Sequence, residues 1–261
     1  MTMIPLTSAL KDEYQRLFDG CIVSTTKAAQ VEFLIKKIID NKDRYESAGN
    51  ALGIPWYFIA VIHNMESSLN FNTHLHNGDP LTNRTVHIPA GRPPNGNPPF
   101  TWEESAADSL TFQKLNSWSD WSLPGLLYKI EGYKGWGYRQ HHPQVLSPYL
   151  WSFSNNYTGG KYVADGRWSD TAVSNQCGAA VILRRMAEKN DITFAAVPAV
   201  STGEEAVIKF SNKKNQYAEE LQTFLNKFPG IYVKVDGVPG TRTSDAFKKV
   251  SGYYLKGDPR Q

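Results

Sequence analysis

The chain has 261 residues, 41% of them hydrophobic and 20% charged, with a formal net charge of +3. This composition excludes a disordered, fibrous or membrane-embedded chain, and the longest apolar stretch, Ile54 to Ile62, is too short to cross a bilayer. The positive charge is scattered rather than gathered in a Lys/Arg run, so nucleic acid is not an expected partner.

The N-terminus lacks a basic start and a clean apolar core, and Lys11, Asp12 and Glu13 arrive early, so no cleaved signal peptide is expected. Lys27 to Tyr45 is predicted as one amphipathic helix, with Val31, Leu34, Ile35, Ile38 and Ile39 at helical spacing. A second helix is predicted from Pro55, a residue suited to the first helical position. It is apolar on nearly all sides and is therefore expected at the centre of the core.

From Asn70 to Phe100 the texture turns polar and rich in Gly and Pro, which predicts a long loop with a short hairpin around Arg84 to Ile88. A loop of that length in a compact domain favours a functional role. Thr101-Trp102-Glu103-Glu104 has the capping-box pattern and predicts another helix start. Further helices are predicted over Pro124–Glu131 and Ala172–Lys189. Between them lie a Gly- and aromatic-rich turn from Gly132 to Gly137 and an irregular aromatic stretch from Pro148 to Gly166. Cys21 and Cys177 are expected as buried thiols, with a single long-range bridge as the alternative.

Small residues around 196–204 read as a linker, dividing the chain into a domain over 1–195 and a smaller one over 205–261. All seven tryptophans lie before this linker, which supports the boundary.

The chemistry starts from Glu66. It sits at the end of the apolar helix, where a carboxyl out of water keeps its proton near neutrality and can serve as a general acid. The alternative is a carboxylate that merely caps or pairs at a helix end. Asp79 is the first choice for a second carboxylate, against the alternative of a turn aspartate bonded to its own backbone. Glu103 is the second choice, although acids favour the first turn of any helix. Glu131 and Asp165 are further possibilities. His74, His76 and His87 with Asp79 lack the regular spacing of a metal site, so no metal or other cofactor is expected. Aromatic residues stack on sugar faces or fill cores, and Trp102, Trp136, Tyr138, Tyr149, Trp151, Tyr157 and Tyr162 are candidates for either role.

Glu66-Ser67 at the end of an apolar helix resembles the Glu-Ser signature of goose-type lysozymes and soluble lytic transglycosylases. Gly132-Tyr133-Lys134-Gly135-Trp136-Gly137 is similar to their Ala-Tyr-Asn-x-Gly-x-Gly motif. Lys134 departs from the asparagine usual there, and the Gly-Leu-Met-Gln motif of those families is not evident. The resemblance spans about residues 50 to 165. It implies a mainly α, lysozyme-like domain with Glu66 as catalytic acid, Tyr133 beside it and Asp79 as partner. It also makes Ser67, Glu103, Trp136, Tyr138 and Trp151 candidates for substrate binding.

Leu221-Gln222-Thr223-Phe224-Leu225, Val235-Asp236-Gly237-Val238-Pro239-Gly240-Thr241-Arg242-Thr243 and Ala246-Phe247 resemble the small three-helix peptidoglycan-binding domain. Pro239 stands where that family often has an aromatic residue, and the tail from Gly252 to Asp258 runs past its usual end. The turn is expected to need positive backbone angles at Gly237 and Gly240, with Thr243 or Ser244 capping the next helix. Tyr217 and Arg242 are its candidate wall contacts.

Together the two resemblances imply a muramidase acting on peptidoglycan outside the cytoplasm. A lytic transglycosylase on the same bond is the nearest alternative, a chitinase or chitosanase a more distant one, and a non-catalytic wall-binding protein the alternative of another class. They leave the delivery route and any immunity protein open.

Overall fold

The computed structural model describes residues 4–164, 166–196, 208–215 and 217–260. Within them the protein is mainly helical, with eleven α-helices and one two-stranded sheet. The chain divides into two compact units, Met1–Pro198 and Ala199–Gln261. Most of the predicted linker lies outside the described residues, as does Asp165.

The larger unit is built around a helix that is buried nearly all the way round. Helices α1 (Ser8–Asp19), α2 (Ala28–Ile39) and α3 (Lys42–Gly49) precede α4 (Trp56–Ser67), whose residues Tyr57 to Met65 are all buried. α4 packs against α3, α6 (Leu123–Lys134) and α9 (Ala179–Glu188). Each fully buried aliphatic or aromatic side chain there stabilises the fold by about 1.5–3 kcal/mol relative to exposure. α5 (Trp102–Phe112) begins at Thr101 with both halves of the capping box formed. Two short helices, α7 (Gly137–His141) and α8 (Pro148–Trp151), complete the unit with the antiparallel pair β1 (Lys161–Ala164) and β2 (Arg167–Ser169).

Several boundaries differ from the sequence expectation. The helix predicted over Lys27 to Tyr45 is two helices, because the chain turns at Asp40 and Asn41, where the Asn41 amide donates to the Lys37 carbonyl and closes α2. The hairpin expected near Arg84 to Ile88 is absent. The Val86 and His87 N–H groups donate to Asp79 instead of to a neighbouring strand, and Pro89, Pro93 and Pro94 have no N–H to offer a ladder. The sheet lies instead at the end of the aromatic stretch, in β1, and just past it, in β2. The Gly132–Gly137 turn is helical through Lys134. Gly135, at φ 90°, ends α6 there in a conformation that side chains rarely adopt. The last helix of the unit starts at Ala179 rather than near Ala172.

The smaller unit has two helices among the described residues, α10 (Ala218–Leu225) and α11 (Thr241–Ser251), rather than the three expected. Its core gathers Leu225, Val233 and Ala246, with Leu221, Ile231, Phe247 and Val250 against them. The buried Gln222 amide joins the two motif halves. It donates to the Asp236 carboxylate, the Val238 carbonyl and the Thr243 hydroxyl, and accepts from the N–H groups of Asp236 and Gly237. Gly237 has the expected positive φ of 74°. Gly240 does not, since it is the extended N-cap of α11, and so Thr243 and Ser244 lie inside the helix rather than capping it.

Candidate active site

Glu66 lies one residue before the end of α4, with its side chain 11% exposed. Its Oε1 is 2.6 Å from Lys134 Nζ, at the end of α6. This close ion pair is the one polar contact that Oε1 makes among the described residues. Burial pushes the Glu66 carboxyl above the usual carboxylate range, and the Lys134 charge only partly opposes it. The C-terminal end of a helix also disfavours a negative charge.

The chain leaves α4 through Ser68 and Leu69, two consecutive non-glycine residues with φ of 53° and 60°. This conformation is uncommon for such residues. From before α9, the Gln176 side-chain amide donates to the Asn64 carbonyl at 2.9 Å and the Met65 carbonyl at 3.1 Å. The Met65 carbonyl is one that a helix end leaves unpaired, while the Asn64 carbonyl also accepts from the Ser68 N–H, so Gln176 ties the turn that carries Glu66 to the segment before α9. The sequence reading absorbed Gln176 into a predicted helix. The one local signal was a polar residue just before a Gly and an apolar run.

Tyr133, on α6, is half-buried, and the burial of its hydroxyl and then the nearby Glu66 charge raise its pKa above the ordinary tyrosine value. Its hydroxyl shares a 3.4 Å hydrogen bond with Ser109 of α5. Tyr149 of α8 is raised likewise, by burial and then by Glu66. Glu66, Lys134, Tyr133 and Tyr149 therefore form one neighbourhood. Beside it lies a depression of about 560 Å³, lined by Asn64 and Ser68 of the Glu66 turn together with Tyr138, Tyr149, Tyr162 and Gln176. Tyr138 meets Tyr149 and Tyr162 edge to face, and Trp168 stacks flat on His142 at 3.5 Å between ring centres.

The other sequence candidates fall elsewhere or are otherwise engaged. Asp79 is buried in the loop after α4, and its neighbour Gly78 packs against the Glu66 backbone. Burial would raise its pKa, but the His87 ring and the N–H groups of His87 and Val86 outweigh that and hold it at about 2. Glu103 pairs with Arg44 of α3 through two hydrogen bonds of 2.6 and 3.2 Å, tying α5 to α3. Glu131 is buried between the Tyr14 hydroxyl and Arg139, at 2.5 and 2.8 Å. Trp151 and Trp136 pack in the hydrophobic core, and neither lines the depression beside Glu66. Ser67 is partly buried and donates to the His63 carbonyl.

His74 is held by Ser105 and the Asn83 carbonyl, and His76 by Asp108, which also binds Arg92. Among the described residues no group of three or more His, Cys, Asp or Glu side chains is placed to hold a metal ion. Cys21 and Cys177 are both free and buried. In the smaller unit Tyr217 is partly buried and Arg242 exposed. No described helix is long and apolar enough to cross a membrane.

Chemically, the Glu66 site offers a carboxyl whose pKa is raised by burial, a cation, two phenols and an aromatic-lined depression. That set suits holding and donating a proton. Comparison of the chain with family models, with curated proteins and with solved structures returns no match.

Proposed function

We propose that this protein cleaves the β-1,4 bond between N-acetylmuramic acid and N-acetylglucosamine in peptidoglycan, as a muramidase with a lysozyme-like catalytic unit and Glu66 as general acid. The observation that carries this reading is the Glu66 carboxyl itself. It is buried at a helix end, with its pKa raised by that burial, and next to the aromatic-lined depression. Tyr133 lies beside it, where the resemblance to goose-type lysozymes and lytic transglycosylases implies a tyrosine. The smaller unit, with its resemblance to peptidoglycan-binding domains, holds the enzyme on the wall.

Hydrolysis also needs a base to activate water or a nucleophile to attack the sugar. The muramidase reading gives that part to Asp79. Both Asp79 oxygens already accept hydrogen bonds within the loop, and this favours a second reading, a lytic transglycosylase. There Glu66 acts first as acid and then as base while the substrate's own hydroxyl closes the ring.

Digestion of purified peptidoglycan with mass analysis of the fragments tests both. Glu66→Gln is expected to lower turnover about a hundred- to ten-thousand-fold, the usual worth of a general acid, while wall binding persists. Full activity in that variant sinks the proposal. Fragments that lack the added water assign the transglycosylase reading.

A further inference from the structure

Lys134 is the feature of the site that the proposed chemistry does not use. Its ammonium stands 2.6 Å from Glu66 Oε1, at the position where the resembled motif has a neutral asparagine. A cation there opposes protonation of the very group that must donate a proton. The arrangement makes sense if the cation has another partner when substrate is bound. Three observations support one. The Lys134 side chain is 26% exposed, so a ligand can reach it. Glu66 Oε1 takes no other polar partner among the described residues, so the ammonium gives up a single contact and not a network when it turns away. Glu66 has no other cation to hold it ionised: the remaining titratable groups that feel it among the described residues are the phenols of Tyr133 on α6 and Tyr149 on α8.

We propose that Lys134 is a specificity residue that binds a carboxylate on the muramyl unit of the glycan and leaves Glu66 as it does so. This rests on the peptidoglycan reading above. Of the two sugars flanking the bond, only the muramyl one carries a lactyl ether, whose carboxylate is free on peptide-stripped strands. On peptide-bearing strands that group is an amide, and the carboxylates belong to the stem peptide. Either source offers the same chemistry to the ammonium. Once Lys134 has moved, Glu66 keeps its burial and loses its counterion. It then takes one proton from solvent water, while the Lys134 ammonium changes partner and transfers no proton. The substrate thus arms its own acid, and a neutral glycan of the same shape does so less well.

The test uses three substrates with the full-length chain: peptide-stripped strands, peptide-bearing strands and glycol chitin, which has no carboxylate. The alkaline limb of the kcat profile, where Glu66 loses its proton, is expected about one pH unit higher on a carboxylate-bearing strand than on glycol chitin. One unit is the low end of what a nearby opposite charge does to a carboxyl. Whichever of the two strands shows the shift identifies the carboxylate. Lys134→Gln is expected to erase the difference and Lys134→Arg to keep it. An identical limb on all three substrates, or a difference that survives in Lys134→Gln, overturns the proposal.

A binding measurement separates this failure from that of the proposed function. Glu66→Gln is expected to bind the N-acetylglucosamine–N-acetylmuramic acid disaccharide about tenfold more tightly than chitobiose, the scale of one charge-assisted hydrogen bond. The preference is expected to vanish when Lys134→Gln is added. Equal affinities for the two sugars overturn Lys134 recognition even where the wild type cleaves peptidoglycan. A preference without cleavage by the wild type keeps recognition and removes the function.

Discussion

Two carboxylates, thirteen positions apart in the chain numbering (66 and 79), are treated in opposite ways. Asp79 is saturated, with two backbone N–H groups and the His87 ring converging on it, and its ionised form is strongly favoured. Glu66 is sparsely served, with one cation, Lys134, as its ionic partner and burial working against its charge. A carboxylate surrounded by donors is held ionised, whereas one with few is easier to protonate. The loop around Asp79 is accordingly a scaffold, and the α4–α6 junction around Glu66 holds the candidate site.

Stability measurements sharpen this contrast. The largest effect is expected from Asp79→Ala, which strands the Val86 and His87 N–H groups. Unfolding in urea should show a loss of about 3 kcal/mol, since hydrogen bonds to a charged group contribute about 1.5–3 kcal/mol each. A loss too small to measure would mean that the loop is held by its prolines and by Asp108 alone.

The next effect is expected from Gln176→Ala, which leaves the Met65 carbonyl unpaired and the Asn64 carbonyl with the Ser68 N–H alone. A cost of about 1–2 kcal/mol is expected from the one unpaired group and the lost second bond. Turnover should fall as well, because the turn that carries Glu66 loosens. Turnover unchanged at that loss of stability would show that Gln176 supports the fold without positioning the acid.

The third comparison is one of sign as a function of pH. Asp79 has a folded value of about 2, below the ordinary 3.8. Its stabilisation is therefore complete above the ordinary value and is lost as pH falls through the folded one. Glu66 is raised above the ordinary 4.5, so its ionised form is penalised in the folded state. That cost is present above its folded value and absent below 4.5. Near neutral pH, Asp79→Asn should lower Tm and Glu66→Gln should raise it slightly. Both differences should shrink in acid, the Glu66 one first. A drop in Tm for Glu66→Gln at neutral pH would break the contrast and make the Lys134 pair a structural bond.

Local chemistry made part of this legible in the sequence. The α5 start was readable because the capping box spans only Thr101 to Glu104. The burial of α4 was readable because nearly every one of its faces is apolar. Glu66 stood out for the same reason, as the first carboxylate after that apolar run. What the sequence hid depends on contacts between distant segments. Gln176 reaches back more than a hundred positions to Asn64, and nothing near it in the chain announces that. The hairpin expectation failed because the N–H groups of Val86 and His87 had a partner, Asp79, that alternation cannot reveal. Trp136 and Trp151 looked like sugar platforms in a list of aromatics, but they fill the core. The ring-lined depression instead uses Tyr138, Tyr149 and Tyr162.

The Gln222 amide is where the segments of the smaller unit converge. Five hydrogen bonds meet on one side chain, and they join helix α10, the Asp236–Val238 turn and the start of α11. Asn226 to Val233 and Ser244 to Asp258 tie the flanking chain separately. Gln222→Ala in the intact chain is therefore expected to loosen the smaller unit through one side chain, with no residue of the Glu66 neighbourhood substituted. Set beside the unaltered chain on peptidoglycan, it separates what the smaller unit contributes from what the Glu66 site contributes without cutting the protein in two.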